Sequence, residues 1–165
     1  MRYLLLFCIT VALAACFAGE AEPQKTGKEG KPLPNFVVQL PDSISFLNTQ
    51  KLQDNTPLAV FYFSPACPHC RAQVTEMIDD MDRLKDIQLL FITAYPYNHM
   101  KRFYEQYDLK KYPNIIIGSD TANFISSYFG ITGVPYTAIY DKHKRLTKAF
   151  LGKIYSSQII NAAGL

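Results

Sequence analysis

A continuous apolar run, Leu58-Ala59-Val60-Phe61-Tyr62-Phe63, stops at Ser64-Pro65-Ala66, and the next four residues are Cys67-Pro68-His69-Cys70. Six apolar residues with β-branched and aromatic character, closed by a turn signal, describe a strand buried on both faces. From Pro68 the period changes. Val74, Met77, Ile78, Met81 and Leu84 recur at spacings of three and four, with Glu76, Asp79, Asp80 and Asp82 between them, the pattern of an amphipathic helix. Pro68 suits the first helical turn, where its missing N–H leaves no bond unmade. The cysteines therefore stand at a strand-to-helix junction. Cys67 falls at the helix N-terminus, where unpaired N–H groups and the helix dipole favour a thiolate. Cys70, three residues on, shares its side of the first turn, a separation that allows a disulfide without unwinding the helix. His69, when protonated, adds positive charge beside Cys67. Both influences stabilise the reduced pair and make its disulfide a stronger oxidant.

The chain has 165 residues, 48% of them hydrophobic and 19% charged, enough for one domain with a substantial core plus an N-terminal addition. A net charge of +3 is too small to point to a nucleic-acid partner. With no Trp, the 11 Phe and 11 Tyr carry the aromatic packing. Ile87–Ala94 reads as a second apolar strand. Residues 97–109 read as an amphipathic helix whose stripe of Met100, Phe103, Tyr104 and Tyr107 is core. Ile115–Ile117 reads as a short strand or an extended connection, and Asp120 as a cap for a short helix holding Phe124, Ile125, Tyr128 and Phe129. Val134–Tyr140, a turn at Asp141–Lys144, and Leu146–Leu151 form an expected hairpin, followed by a helix from Ser156 to about Ala163. Lys142, Lys144 and Arg145 at the hairpin turn read as a solvated loop. Phe36–Leu40 and Ser43–Leu47 are expected to add a small hairpin in front. The order βαβα, then ββα, predicts an α/β three-layer sandwich around a mixed sheet with an N-terminal β extension. Its first βα junction, where open α/β sheets place their chemistry, carries Cys67.

Residues 4–18 are almost wholly apolar and follow a single positive charge, Arg2. That is the arrangement of a secretory signal, and the run is short for a membrane span, which needs about 20 residues. Its end, Leu13-Ala14-Ala15-Cys16, resembles the bacterial lipoprotein signal. The resemblance implies a signal peptide over 1–15, cleavage before Cys16 and lipid on Cys16. Acyl chains would then hold the protein on a membrane surface outside the cytoplasm, plain secretion being the alternative. Residues 16–34, rich in Gly, Pro, Lys and Glu, read as a mobile tether, and 35–165 as the folded domain. With Cys8 removed and Cys16 acylated, only Cys67 and Cys70 remain as thiols. A bridge over two residues closes too short a loop to be an effective staple, so redox chemistry explains the pair better than stability does. A structural zinc site needs about four ligands. His69 is wedged inside the pair, and His99 and His143 read as surface residues, so no metal and no other cofactor are expected.

Two separated segments resemble the thioredoxin superfamily: Phe61-Tyr62-Phe63-Ser64-Pro65-Ala66-Cys67-Pro68-His69-Cys70, and Gly130-Ile131-Thr132-Gly133-Val134-Pro135-Tyr136-Thr137. The chain is most similar to the extracytoplasmic branch of TlpA-type and redoxin-type thiol-disulfide oxidoreductases, over about Phe36 to the C-terminus. The resemblance implies a thioredoxin-like fold with Cys67 and Cys70 as the catalytic pair and Pro68 and His69 between them. It also implies a cis Pro135 beside the dithiol, where the backbone of Val134 is exposed to a bound substrate strand. The Cys-Pro-His-Cys tetrapeptide itself is similar to that of the periplasmic oxidase DsbA. Three positions depart from relatives: Ala66 stands where many have Trp, Phe61 where cytoplasmic thioredoxins have a buried Asp, and Gln73 where some TlpA-like reductases have Glu. Glu76, one turn later, is a substitute for the missing acid.

The expected function is disulfide exchange with extracytoplasmic protein thiols, supplied by an upstream redox partner, in a monomer. Its direction stays open, since His69 leans toward oxidation and the TlpA-like architecture toward reduction. A peroxiredoxin-type thiol peroxidase is one alternative. Ser64 lies three residues before Cys67 as that motif asks, but Val60 stands where it wants Pro. A thioredoxin-like copper carrier is the other, although such proteins space their cysteines by three residues rather than two.

Overall fold

The computed structural model describes residues 21–165. The signal segment, Cys8 and Cys16 lie outside the described residues. The strands are β1 (Val37–Gln39), β2 (Phe46–Asn48), β3 (Leu58–Tyr62), β4 (Gln88–Thr93), β5 (Ile115–Ser119), β6 (Tyr136–Tyr140) and β7 (Leu146–Leu151). The helices are α1 (Pro68–Asp79), α2 (Met81–Leu84), α3 (Tyr97–Gln106), α4 (Phe124–Phe129) and α5 (Ser156–Ala163). One mixed sheet runs in the order β2-β1-β5-β4-β3-β6-β7. β3, β4 and β5 are parallel, while β6, β7 and the β1–β2 hairpin join antiparallel.

Alternation along the strands sorts the core into two layers. Ala59, Phe61 and Phe63 face one side with Leu89, Phe91, Ile139 and Phe150, and meet Val74 and Met77 of α1, Phe103 of α3 and Ile159 of α5. Leu58, Val60 and Tyr62 face the other side with Leu90, Ile92, Ala138 and Tyr140, under Phe36, Leu52 and Ile125 of α4. All five residues of β3 are buried, which is why its sequence is continuously apolar. Phe61 stacks on Phe63 at 5.5 Å and meets Phe91 edge-on at 5.0 Å.

Several expectations need correction. The helix predicted through Leu84 is two helices: Asp80, at φ −96 and ψ 17, ends α1 and opens α2. The helix after Pro96 ends at Gln106, and a 3-10 turn follows at Leu109–Lys111. Ile115–Ser119 is a full parallel strand beside β4. It carries the N-terminal hairpin because Gly118 lets β1 approach: a Cβ there would lie 2.7 Å from Val38 Cγ2. Asn123, not Asp120, is the N-cap of α4, but Asp120 Oδ2 accepts the Ile125 N–H at 2.8 Å from upstream. Lys144 is not simply solvated. Its Nζ donates to the carbonyls of Gln53 and Thr56, at 2.6 and 2.5 Å, and burial lowers its pKa.

The largest correction concerns the expected tether. Residues 24–33 lie along the outer edge of β7. The N–H groups of Gln24, Gly30 and Leu33 donate to the carbonyls of Ala149, Leu146 and Lys144, and the Leu146 N–H donates to Lys31 O at 3.0 Å. Gln158 Nε2 donates to Ala21 O at 2.8 Å. An edge strand presents backbone groups that need partners, and this segment supplies them through its main chain. Its polar composition is no obstacle, because few of its side chains have to be buried.

Candidate active site

β3 delivers the chain to the C-terminal edge of the sheet, where Ser64–Ala66 turns it into α1. The turn is closed by the Cys67 N–H donating to Ser64 O at 3.1 Å and the Ala66 N–H donating to Ser64 Oγ at 3.3 Å. Cys67 is the N-cap of α1, with extended φ −77 and ψ 121, and Pro68 follows as the first helical residue. A helix leaves its first N–H groups without internal partners; here the Cys70 N–H donates to Cys67 Sγ at 3.4 Å. The Cys67 thiol in turn donates to the carbonyl of Val134 at 3.6 Å. The Val134–Pro135 peptide bond is cis. The loop before β6 is held in place from β7, where the Gly152 N–H donates to Pro135 O at 2.8 Å.

The two cysteines, both free thiols, have unlike surroundings. Cys67 is half-buried, whereas Cys70 is fully buried within the layer that holds Phe61 and Val74. Burial pushes the Cys70 thiol up to about 12, because a thiolate there would lose its hydration. Pro68 and His69 are exposed on the first turn of α1. Cys67, Cys70, Val134 and Pro135 thus come together from two segments more than sixty residues apart, with Pro68 and His69 at the rim.

Two features at the site were not predicted. A cavity of about 610 Å³ opens beside Cys67, walled by Tyr62, Phe63, Ala94, Tyr95, Pro96 and Val134. No charged side chain lines it. The position of Ala94-Tyr95-Pro96, directly after a parallel strand, was the available signal. The second feature lies below the pair. Gln73 Oε1 accepts the Ile154 N–H at 2.6 Å, Glu76 Oε1 accepts the Ser156 N–H at 3.1 Å, and Glu76 Oε2 pairs with Lys153. Gln73 and Glu76 therefore fasten α1 to the start of α5. Among the described residues, no group of three or more His, Cys, Asp or Glu side chains comes together as a metal site. No helix there is long and apolar enough to cross a membrane.

Residues 28–163 match the redoxin family. The chain belongs to the redoxin family. No curated protein matches it. Solved structures share its fold at low identity. A secreted Mycobacterium tuberculosis disulfide oxidoreductase homologous to E. coli DsbE is 14% identical over 78% of this chain and 94% of its own, with TM-score 0.64. The exposed lipoprotein thioredoxin Etrx1 from Streptococcus pneumoniae is 16% identical over 79% and 98%, with TM-score 0.64. Peroxidoxin BcpB from Mycobacterium tuberculosis is 13% identical over 83% and 96%, with TM-score 0.69. The redoxin match begins at Lys28, inside the segment whose backbone pairs with β7.

Proposed function

We propose that this redoxin-family chain is a thiol-disulfide oxidoreductase that exchanges disulfides with extracytoplasmic proteins through Cys67 and Cys70. The observation that carries this reading is the asymmetry of the pair: an accessible thiol capping a helix, and a buried partner one turn away. In the reducing direction the Cys67 thiolate attacks one sulfur of a client disulfide. The client S–S bond breaks, the departing client thiolate takes up a proton, and a mixed disulfide remains. Cys70 gives up its proton and displaces Cys67-bound client sulfur, which leaves as the second client thiol. The protein ends as the Cys67–Cys70 disulfide with two electrons transferred, and the oxidising direction is the reverse. The raised Cys70 thiol stays protonated while Cys67 reacts, which keeps the two steps in order. An extended client segment fits beside the Val134 backbone. A Cys70→Ala variant should accumulate mixed disulfides with client proteins, visible on non-reducing gels and released by reductant. Absence of adducts in every redox background would count against the proposal.

The site is proposed to work at a membrane surface, with residues 1–15 removed and Cys16 lipidated. Only residues 17–20 separate Cys16 from Ala21, whose carbonyl accepts from the Gln158 side chain. A reach of about 18 Å at full extension would keep the domain close to the lipid. Metabolic labelling with a palmitate analogue, lost in Cys16→Ser, tests the anchor.

The likeness to peroxidoxin BcpB favours one second reading, thiol peroxidase activity. Consumption of hydrogen peroxide coupled to Cys67 oxidation would support it. Val60 lies within β3, buried among core residues, where the peroxiredoxin motif wants proline.

A further inference from the structure

On the side of the active-site loop away from the apolar cavity lies a second cleft of about 240 Å³. Its walls are Pro65, Ala66, Arg71, His99 and Arg102, over Phe103. Ala66 lines both cavities, so the residue next to Cys67 separates an uncharged pocket from a basic one.

The basic groups converge from two helices. Arg71 follows Cys70 on α1, and its Nε donates to Pro65 O at 3.0 Å, which fixes the guanidinium along the loop. His99 and Arg102 stand three residues apart on α3, on one face, and the buried ring of Phe103 forms the floor. No carboxylate lines the cleft. Neither arginine takes part in an ion pair among the described residues. Two guanidinium groups without acidic partners line one cleft over an apolar ring, a chemistry that suits a carboxylate.

We propose that this cleft binds an acidic side chain, Asp or Glu, lying a few residues from the reacting cysteine of the client. The inference rests on the exchange function proposed above and names a feature of its clients. Ala66 is exposed between the two clefts, so a client segment that lies beside Val134 with its sulfur at Cys67 can continue across it. It therefore offers one neighbouring side chain to the uncharged cavity and another to the arginines. Charge complementarity selects a carboxylate for the second position and disfavours lysine there.

The test uses the reduced full-length protein carrying Cys8→Ser and Cys16→Ser, so that Cys67 and Cys70 are its only thiols, and three peptides that differ only beside their cysteine, which is flanked by Glu, Gln or Lys. Each cysteine is carried as a mixed disulfide with 2-mercaptoethanol, an uncharged leaving thiol. The readout is the ratio of second-order rate constants within each protein, which cancels changes in Cys67 itself. At about 20 mM salt the Glu peptide should react about tenfold faster than the Lys peptide, with Gln between them, and the ratio should shrink toward one at about 0.5 M salt. Arg102→Glu, a substitution of an exposed residue, should reverse the order, and Arg71→Ala should flatten it. Equal rates for the three peptides in the unaltered protein would overturn the proposal. So would an unchanged preference in both variants. Equal peptide rates together with salt-sensitive binding to phosphatidylglycerol vesicles, lost in the variants, would assign the cleft to a lipid headgroup and overturn it as well. If no peptide reacts with Cys67, the exchange function itself fails, an outcome distinct from reaction without charge preference.

Discussion

Cys67 and Cys70 are one helical turn apart, yet one thiol meets solvent and the other is enclosed by the sheet. That difference should be visible in alkylation. At pH 8 the reduced protein carrying Cys8→Ser and Cys16→Ser should take one equivalent of iodoacetamide rapidly, on Cys67, and adding Cys67→Ala should leave almost no fast reaction. Equal modification of both residues, mapped by mass spectrometry, would contradict the burial of Cys70. The raised Cys70 thiol also has a consequence for stability. A group whose folded-state pKa lies above its ordinary value supports folding while it is protonated in both states. The contribution is complete below about pH 9 and is lost as pH rises from there through about 12. Reduced wild-type protein should therefore lose more stability than reduced Cys70→Ser between pH 8 and 11, measured by urea denaturation. Parallel losses would place Cys70 in a more polar setting than the structure does. The cysteine spacing and the two segments around Cys67 and Pro135 were legible in the sequence, because each is a short run of chemically distinctive residues. The arginine cleft was not, since Arg71, His99 and Arg102 become neighbours only when α1 and α3 pack on the same face.

At the scale of elements, α1 and α5 are joined by side chains of α1 that accept backbone N–H groups at the start of α5. Gln73 Oε1 is the acceptor for the Ile154 N–H. Gln73→Leu would leave that buried donor unpaired and should cost about 1–3 kcal/mol in urea unfolding; a change within about 0.3 kcal/mol would mean the joint is held elsewhere. Gly118→Ala should cost a similar amount, about 1–3 kcal/mol, by forcing β1 away from β5. A variant of unchanged stability would show that Val38 yields without strain. The continuous apolar strands β3 and β4 and the helix carrying Val74 and Met77 could be read from periodicity, because burial on one or both faces dictates it. β5 was ambiguous, as Ile115-Ile116-Ile117 is too short for its period to decide. The break at Asp80 was hidden because the apolar spacing runs on through Met81 and Leu84 into the next turn.

Over the whole molecule, a mixed sheet with helices on both faces sets the dithiol at one end, and the N-terminal segment closes the sheet's β7 edge. Composition could not reveal that role, since Gly27, Lys28, Glu29 and Gly30 look like linker residues, while the pairing with β7 runs through backbone groups of Gln24, Gly30, Lys31 and Leu33. A chain beginning at Asn35 should be less stable than one beginning at Ala21 by about 2–5 kcal/mol, the sum expected for several lost backbone hydrogen bonds. Its bared edge should also promote self-association. Equal melting temperatures would show that the segment is dispensable. The central claim is that Cys67 and Cys70 form a working redox couple, and the reduction potential of the pair tests it most directly. It is read by thiol alkylation and gel shift across glutathione and dithiothreitol buffers. The account predicts a two-electron transition between about −270 and −120 mV, the range of thioredoxin-like reductants and strong oxidants. A pair that cannot be cycled, or one that stays oxidised below about −300 mV as structural disulfides do, would contradict it.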